Sequence, residues 1–426
     1  MPLSRRDLGV AVLSAVGLAG CATRSPSTGT ASSAPTGRAL LPPSTATDAF
    51  THLRASGNRV VAGTGDVADA APTVLDVDGR PTWLLAFGGM DSYWTVVTAD
   101  GTAATHRVGS GTATRVADHG RVTVPPSGYR TDRVGLLTAP VDCAAHTHPV
   151  VTDDGLLYVS GNGDAVIRRD DGRTRLDVAA PSDARPIRVG DGRYALYGGR
   201  TDRYRHGALG DRIEGSELAV VDVSDERLVT TTTLDAPAVF EGLSPLAADV
   251  DGDGDDELVT TVADARSGAR IRVYDAAGDE LATGPVYGPG WRHQLCVAPF
   301  APDGAPELAV VRKPHVDRTL EYYRLVDGEL RVTATTEGYA THTYGSRNLD
   351  GGLAADLDAD GRTELLVPTT DRRTLEAVRR TADGAAAAWS LSLGGSLATN
   401  VGGVALDDGG VAVGAGTPDG VRVWQG

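Results

Sequence analysis

Residues 247–260 read Ala-Ala-Asp-Val-Asp-Gly-Asp-Gly-Asp-Asp-Glu-Leu-Val-Thr, and residues 354–367 read Ala-Ala-Asp-Leu-Asp-Ala-Asp-Gly-Arg-Thr-Glu-Leu-Leu-Val. The two align without a gap, so that Asp249, Asp251, Asp253, Gly254 and Glu257 fall on Asp356, Asp358, Asp360, Gly361 and Glu364. Each acidic loop runs straight into an apolar, strand-like stretch. A worn copy, Pro299–Leu308, keeps Asp303-Gly304 and Glu307 but has lost the first two carboxylates; it keeps the turn and loses the ion. Fainter Asp-Gly steps occur at Asp78, Asp154, Asp191 and Asp408.

From Asp253 onward the Asp-Gly steps are 50, 57 and 48 residues apart. A repeat of that length suits a four-stranded sheet with extended loops, the unit of a β-propeller. Dividing the chain from Asn58 to Gly426 by this period predicts an all-β fold, a single propeller of about seven blades, with six or eight as the bounds. Ile271–Tyr274 before Asp275-Ala276-Ala277-Gly278, and Glu321–Leu325 before Val326-Asp327-Gly328, supply strands ending in turn residues. The last run, Val421–Trp424, needs a partner, and Arg59–Ala62 is the expected one. Such closure removes the open sheet edges that invite aggregation.

Composition agrees with many short strands. Of 426 residues 54 are Gly and only 5% are aromatic. The net charge of −16 argues against nucleic acid, whose phosphates demand clustered Lys and Arg. Lys313 is the only lysine.

Three aspartates at alternating positions of a tight loop aim their carboxylates at one point, and a hard cation relieves their repulsion. Calcium accepts six to eight oxygens, backbone carbonyls and water among them. An EF-hand is excluded, because its twelfth position would be Thr260 or Val367 where a bidentate Glu is required, and strands follow where a helix should. Residues 240–260 and 348–368 resemble the FG-GAP and VCBS-type repeats of integrin-like propellers, although Phe240-Glu241-Gly242 interrupts the Phe-Gly pair. The resemblance implies two Ca2+ sites. Asp249, Asp251, Asp253 and Glu257, with the Asp255 backbone, would form one; Asp356, Asp358, Asp360 and Glu364 would form the other. It also implies stability and adhesion rather than catalysis.

The N-terminus carries an address. Ser4-Arg5-Arg6-Asp7-Leu8 matches a twin-arginine signal, and the apolar run from Gly9 to Ala19 is too short to span a bilayer. Leu18-Ala19-Gly20-Cys21 resembles a lipobox, in which Cys21 becomes the lipidated first residue. The expected organisation is a signal peptide over residues 1–20, a Ser/Thr/Pro/Gly tether over 21–47, and a monomeric propeller over 48–426, exported and held to the outer face of the membrane or in the periplasm by lipid. Cys143 and Cys296 either pair between blades or stay as buried thiols.

P-loop, H-E-x-x-H and G-x-S-x-G motifs are missing. Loop-borne Arg292, His293, His315, His342 and Arg347 are the candidates for a ligand site at the propeller mouth, beside the plainer reading of histidines that cap turns. The favoured function is a surface binding or adhesion module with a polysaccharide or protein ligand. A polysaccharide lyase or hydrolase and an envelope assembly scaffold are the alternatives.

Overall fold

The computed structural model describes residue 41, the backbone of residues 48–51, and residues 54–426. The signal peptide, Cys21 and nearly all of the tether lie outside the described residues. Among those described no helix occurs, and hence none long and apolar enough to cross a membrane.

The chain from Thr73 onward builds seven four-stranded antiparallel sheets. Strands are lettered A to D from the inside of each blade outward. Blade one comprises Pro81–Phe87, Ser92–Thr98, Thr102–Gly109 and Thr112–Arg121. Blade two spans Val150–Thr152 to Arg173–Asp177, blade three Ile187–Arg188 to Arg227–Thr233, and blade four Leu246–Ala248 to Glu280–Thr283. Blade five runs from Arg292–Ala298 to Glu329–Glu337 and blade six from Leu353–Asp356 to Gly384–Ser392. Blade seven supplies Gly402–Ala405, Val411–Thr417 and Gly420–Gln425, and takes its fourth strand from Thr73–Leu75.

That last pairing closes the ring, with Thr73 opposite Val423 and Leu75 opposite Val421. The expected partner, Arg59–Ala62, does something else. Val60–Thr64 runs parallel to the A strand of blade six, Val60 opposite Ala354 and Thr64 opposite Asp356. The residues before it continue across the inner strands. Arg188 N–H donates to Ala55 O at 2.6 Å, Ala247 N–H to Ser56 O at 2.8 Å, and Ala354 N–H to Arg59 O at 2.8 Å. Asn58 exchanges side-chain hydrogen bonds with the Val297 backbone at 2.9 and 3.0 Å. Residues 55–64 thus occupy the axis, where they satisfy inner-strand groups of blades three to six that would otherwise be open edges.

Burial follows strand position. The B strands are buried on both faces, as in Glu364–Pro368, whereas D strands such as Arg173–Asp177 alternate exposed and half-buried residues, the period of a one-sided sheet. Among the described residues, hydrophobic clusters fill each junction from blade two round to blade one: Leu157 with Leu196, Leu218 with Leu258, Val259 with Val310, Ala309 with Leu365, Leu366 with Val413, and Ala412 with Leu84. Between blades one and two the chain inserts a small sheet in which Ser127–Arg130 pairs with Asp48–Thr51 on one side and Val134–Leu136 on the other. Val134 packs there on Leu85 and Phe87.

The Asp-Gly steps have one meaning in this frame. Six of them, at Asp154, Asp191, Asp253, Asp303, Asp360 and Asp408, sit at the A–B turns of blades two to seven. Asp78-Gly79 lies instead on the crossing between Thr73–Leu75 and blade one. Cys143 and Cys296 are free thiols, both raised to about 12 by burial.

Candidate functional sites on two opposed faces

Strands A and C run against B and D, so A–B and C–D turns share one face while B–C turns and D–A crossings share the other. The acidic loops belong to the first. In blade four, Gly252 and Gly254 take φ of +86° and +98°, the left-handed region that a Cβ disfavours. These reversals turn backbone N–H groups onto the carboxylates. Asp249 accepts from Gly252 at 2.5 Å and from Gly254 at 3.1 Å, Asp251 from Asp253 at 3.1 Å, and Asp253 from Asp255 at 2.9 Å. Glu257, at the start of strand B, accepts from Val250 N–H at 2.7 Å.

Asp249, Asp251 and Glu257 bring one oxygen each to within 4.8 Å of one another. Asp253 and Asp255 stand outside that triad. Burial, and then the neighbouring Asp251, Asp253 and Asp249, push Glu257 up to about 7. Burial and Asp249 likewise raise Asp256. This concentration of uncompensated negative charge is what a hard oxygen-seeking cation relieves.

The blade six loop gathers Asp356, Asp358 and Asp360 within the same 4.8 Å. Asp356 Oδ1 and Asp358 Oδ1 are buried without a protein partner, so this loop too offers oxygens that fit a calcium ion. A difference lies on strand C. Leu365 pairs with Val378, which sets Glu364 across from Arg379. The guanidinium takes Asp358 at 2.6 Å, Asp360 at 3.1 Å and Glu364 at 2.6 Å. The axial segment also braces this loop, with Val67 N–H donating to Leu357 O at 2.8 Å. In blade four Leu258 pairs with Tyr274, and the position across from Glu257 is Asp275. In the worn loop of blade five it is Arg324, which binds Asp303 at 2.9 Å and lies 3.5 Å from Glu307.

The opposite face holds the candidate mouth residues. His293, His315 and His342, from three separate segments, meet around Trp291. The ring centroids lie 4.6, 6.5 and 5.0 Å from the indole. His315 Nε2 and His342 Nδ1 share a hydrogen at 2.8 Å, and His342 Nε2 donates to Ser346 O at 2.8 Å. His293 Nδ1 bonds Thr341 Oγ1 at 2.8 Å. Burial, ahead of a neighbouring imidazole and then nearby guanidinium groups, lowers His342 to about 3 and His315 to about 4. These imidazoles are neutral, and both nitrogens of His342 are engaged, which makes it a poor base.

Arg347 joins a neighbouring network, bonding Asp183 at 2.7 Å and Asp211 at 2.6 Å. Arg292 turns away from the cluster because successive residues of a strand point to opposite sides. Its guanidinium lies 5.1 Å from the Tyr287 ring centroid. The axial segment narrows the throat to a small cavity lined by Arg59, Glu241, Trp291, His293 and Gln294. Glu241 Oε2 and Trp291 Nε1 are buried there without a protein partner, a place for about one water molecule. Trp291, and Tyr344 whose ring centroid lies 5.4 Å from that of His315, escaped the sequence reading because they sit in connections that carry no motif.

No family model and no curated relative matches the sequence. Solved structures similar to it include a chain of the "Crystal Structure of Mitotic Checkpoint Complex", at 12% identity, covering 84% of this chain and 96% of that one with a TM-score of 0.44. A second is the "WD40 beta propeller domain of Doa1", at 13% identity, 83% and 95% coverage, and a TM-score of 0.41. A third is the "Complex of KlAtg21 with coiled-coil of AgAtg16", at 10% identity, 78% and 90% coverage, and a TM-score of 0.38. Likenesses this distant carry no functional argument, and the assignment of a seven-bladed propeller rests on the chain's own sheets and the strand that closes them.

Proposed function

We propose that this chain is an exported, lipid-anchored binding module whose two faces divide the labour. Calcium holds the A–B loops on one face, and the face built from B–C turns and D–A crossings engages a ligand outside the cytoplasm. The observation that carries this reading is the segregation itself: two acidic loops on one side, and a cavity with arginines and hydroxyl side chains beside the histidine cluster on the other. The acidic loops also support kinship with FG-GAP and VCBS-type propellers. With residues 55–64 on the axis, a ligand is met at the face and not in a through-channel.

Two measurements test the reading. Calcium titrated into the chelated, detergent-solubilised chain is expected to bind saturably and raise the melting temperature. Replacing Cys21 by Ala is expected to move the protein from the membrane to the soluble fraction. Calcium indifference together with unchanged membrane association would overturn both the metal and the anchor.

A further inference from the structure

On the histidine-bearing face, beside His342, lies a cavity partly open to solvent. It lies where three connections meet: the B–C turn of blade six with Arg372, the D–A crossing after blade five with Thr341, Thr343, Ser346 and Asn348, and the D–A crossing after blade six with Leu397. Arg80, from the crossing into blade one, completes the wall. None of its lining residues is a carboxylate, although the chain carries a net charge of −16.

Both arginines have donors to spare. The Arg80 guanidinium is exposed and makes no ion pair or hydrogen bond among the described residues. Arg372 is held in place: its φ is +58°, its backbone O accepts from Leu397 N–H at 2.7 Å, and its Nη2 donates to Leu397 O at 2.9 Å. Its Nε–H is buried without an acceptor. A non-glycine residue kept in the left-handed region and left with an unpaired buried donor is a feature that folding alone disfavours. An acceptor arriving with a ligand would resolve it.

We infer that this cavity binds a carboxylate-bearing sugar, a uronate residue, with Arg372 and Arg80 on the carboxylate and the Thr, Ser and Asn side chains on the ring hydroxyls. Arg presents the planar fork that a carboxylate matches with two parallel hydrogen bonds. Asn348 Nδ2 and Thr343 Oγ1 remain available for neutral groups, while Leu397 and Ala398 offer a small apolar patch to a ring face. A free uronate and a uronate unit within a polysaccharide share this chemistry. The inference rests on the reading that this face binds ligand, and names the class it binds.

The test titrates galacturonate, an oligogalacturonate, galactose and sulfate into the full-length, detergent-solubilised chain, with heat as the readout. Saturable binding of both uronates is expected, weakened about tenfold or more in Arg80→Gln and in Arg372→Gln, with no response to galactose. Tighter binding of the oligomer than of the monomer identifies a polysaccharide as the source; equal binding identifies the free sugar. Because Arg372→Gln risks the fold, the exposed Arg80 keeps the test decisive, and each variant's melting curve is recorded beside its titration. Absent uronate binding, undiminished binding in Arg80→Gln, an equal response to galactose, or sulfate binding as tightly as the uronates would each overturn the inference. If uronates fail while binding to an isolated cell-wall fraction is still lost in Arg80→Gln, the ligand class falls and the binding face stands. If Arg80→Gln leaves cell-wall binding intact as well, both fall.

Discussion

The acidic loops of blades four and six have nearly the same sequence and opposite electrostatic solutions. In blade six the residue across from the loop glutamate is Arg379, whose guanidinium lies within 3.1 Å of three carboxylates. In blade four the same position is Asp275, which adds a negative charge to a wall that already holds Asp251, Asp253 and Glu257. One loop carries its own cation, and the other must take one from solution. The motif alone therefore does not set the dependence on metal; a single cross-strand position, 15 residues downstream of the loop glutamate in blade six and 18 in blade four, does so.

The sharpest way to break this contrast is Arg379→Ala. Removing one partner of a largely buried ion network leaves its carboxylates facing each other, at a cost of about 3 kcal/mol of stability in chelator. Calcium should restore most of that loss, because the blade six loop then becomes the kind of site found in blade four. Denaturation curves with and without calcium check both halves. An equal loss in the two buffers would mean that Arg379 serves packing and not charge. Next in size is calcium itself on the unaltered protein, worth about 2.7 kcal/mol at a hundredfold excess over the dissociation constant. Asp251→Ala should abolish most of this gain and Asp358→Ala little of it. The reverse ranking would place the principal ion in blade six.

How much of this was open to a reader of the sequence follows from the same residues. The Asp-Gly steps at Asp253, Asp303, Asp360 and Asp408 revealed the period, because a tight reversal needs glycine and the A–B turn recurs once per blade. The spacing from Asp78 to Asp154 is longer than one blade because Asp78 precedes blade one and the chain then inserts Ser127–Arg130 and Val134–Leu136 before blade two. The closing strand was assigned to Arg59–Ala62 because it looks like a strand. Its apolar side chains serve a parallel pairing on the axis, and three residues, Thr73–Leu75, are too short for periodicity to reveal. Of the five candidates for the mouth, His293, His315 and His342 do come together, whereas Arg292 does not, because its neighbour in the strand claims the inward side, and Arg347 joins the adjoining network. Arg379 carried no signal, since its meaning depends on strand register.

Acid would blur the comparison of the two loops, because protonation of their carboxylates overlaps that of the histidines on the other face. An unfolded imidazole takes up its proton near 6.5, whereas burial lowers His342 to about 3 in the folded chain. Between these values the unfolded state binds more protons, so stability falls as pH drops through that window and is untouched above it. From about pH 7 to pH 5 the loss is on the order of 2 kcal/mol. His342→Gln should flatten that part of the pH–stability profile while leaving the calcium response unchanged. A profile as steep as that of the unaltered protein would assign the acid sensitivity to His315, lowered in the same direction, since loop carboxylates that are raised gain stability on protonation.

The smallest effect is the most direct test of the cross-strand rule. Asp275→Arg writes into blade four the residue type that blade six already has, on a strand whose register puts it across from Glu257. The new guanidinium would lie against Asp251 and Glu257, removing one repulsion and adding one attraction at a partly exposed site, for a gain of about 1 kcal/mol in chelator. The same charge should repel the ion. Calcium stabilisation of the variant is therefore expected to shrink to whatever the blade six loop supplies. A variant that gains stability in chelator and keeps its full calcium response would show that the arginine and the ion occupy separate places, and that Arg379 and calcium act together in blade six and not as substitutes.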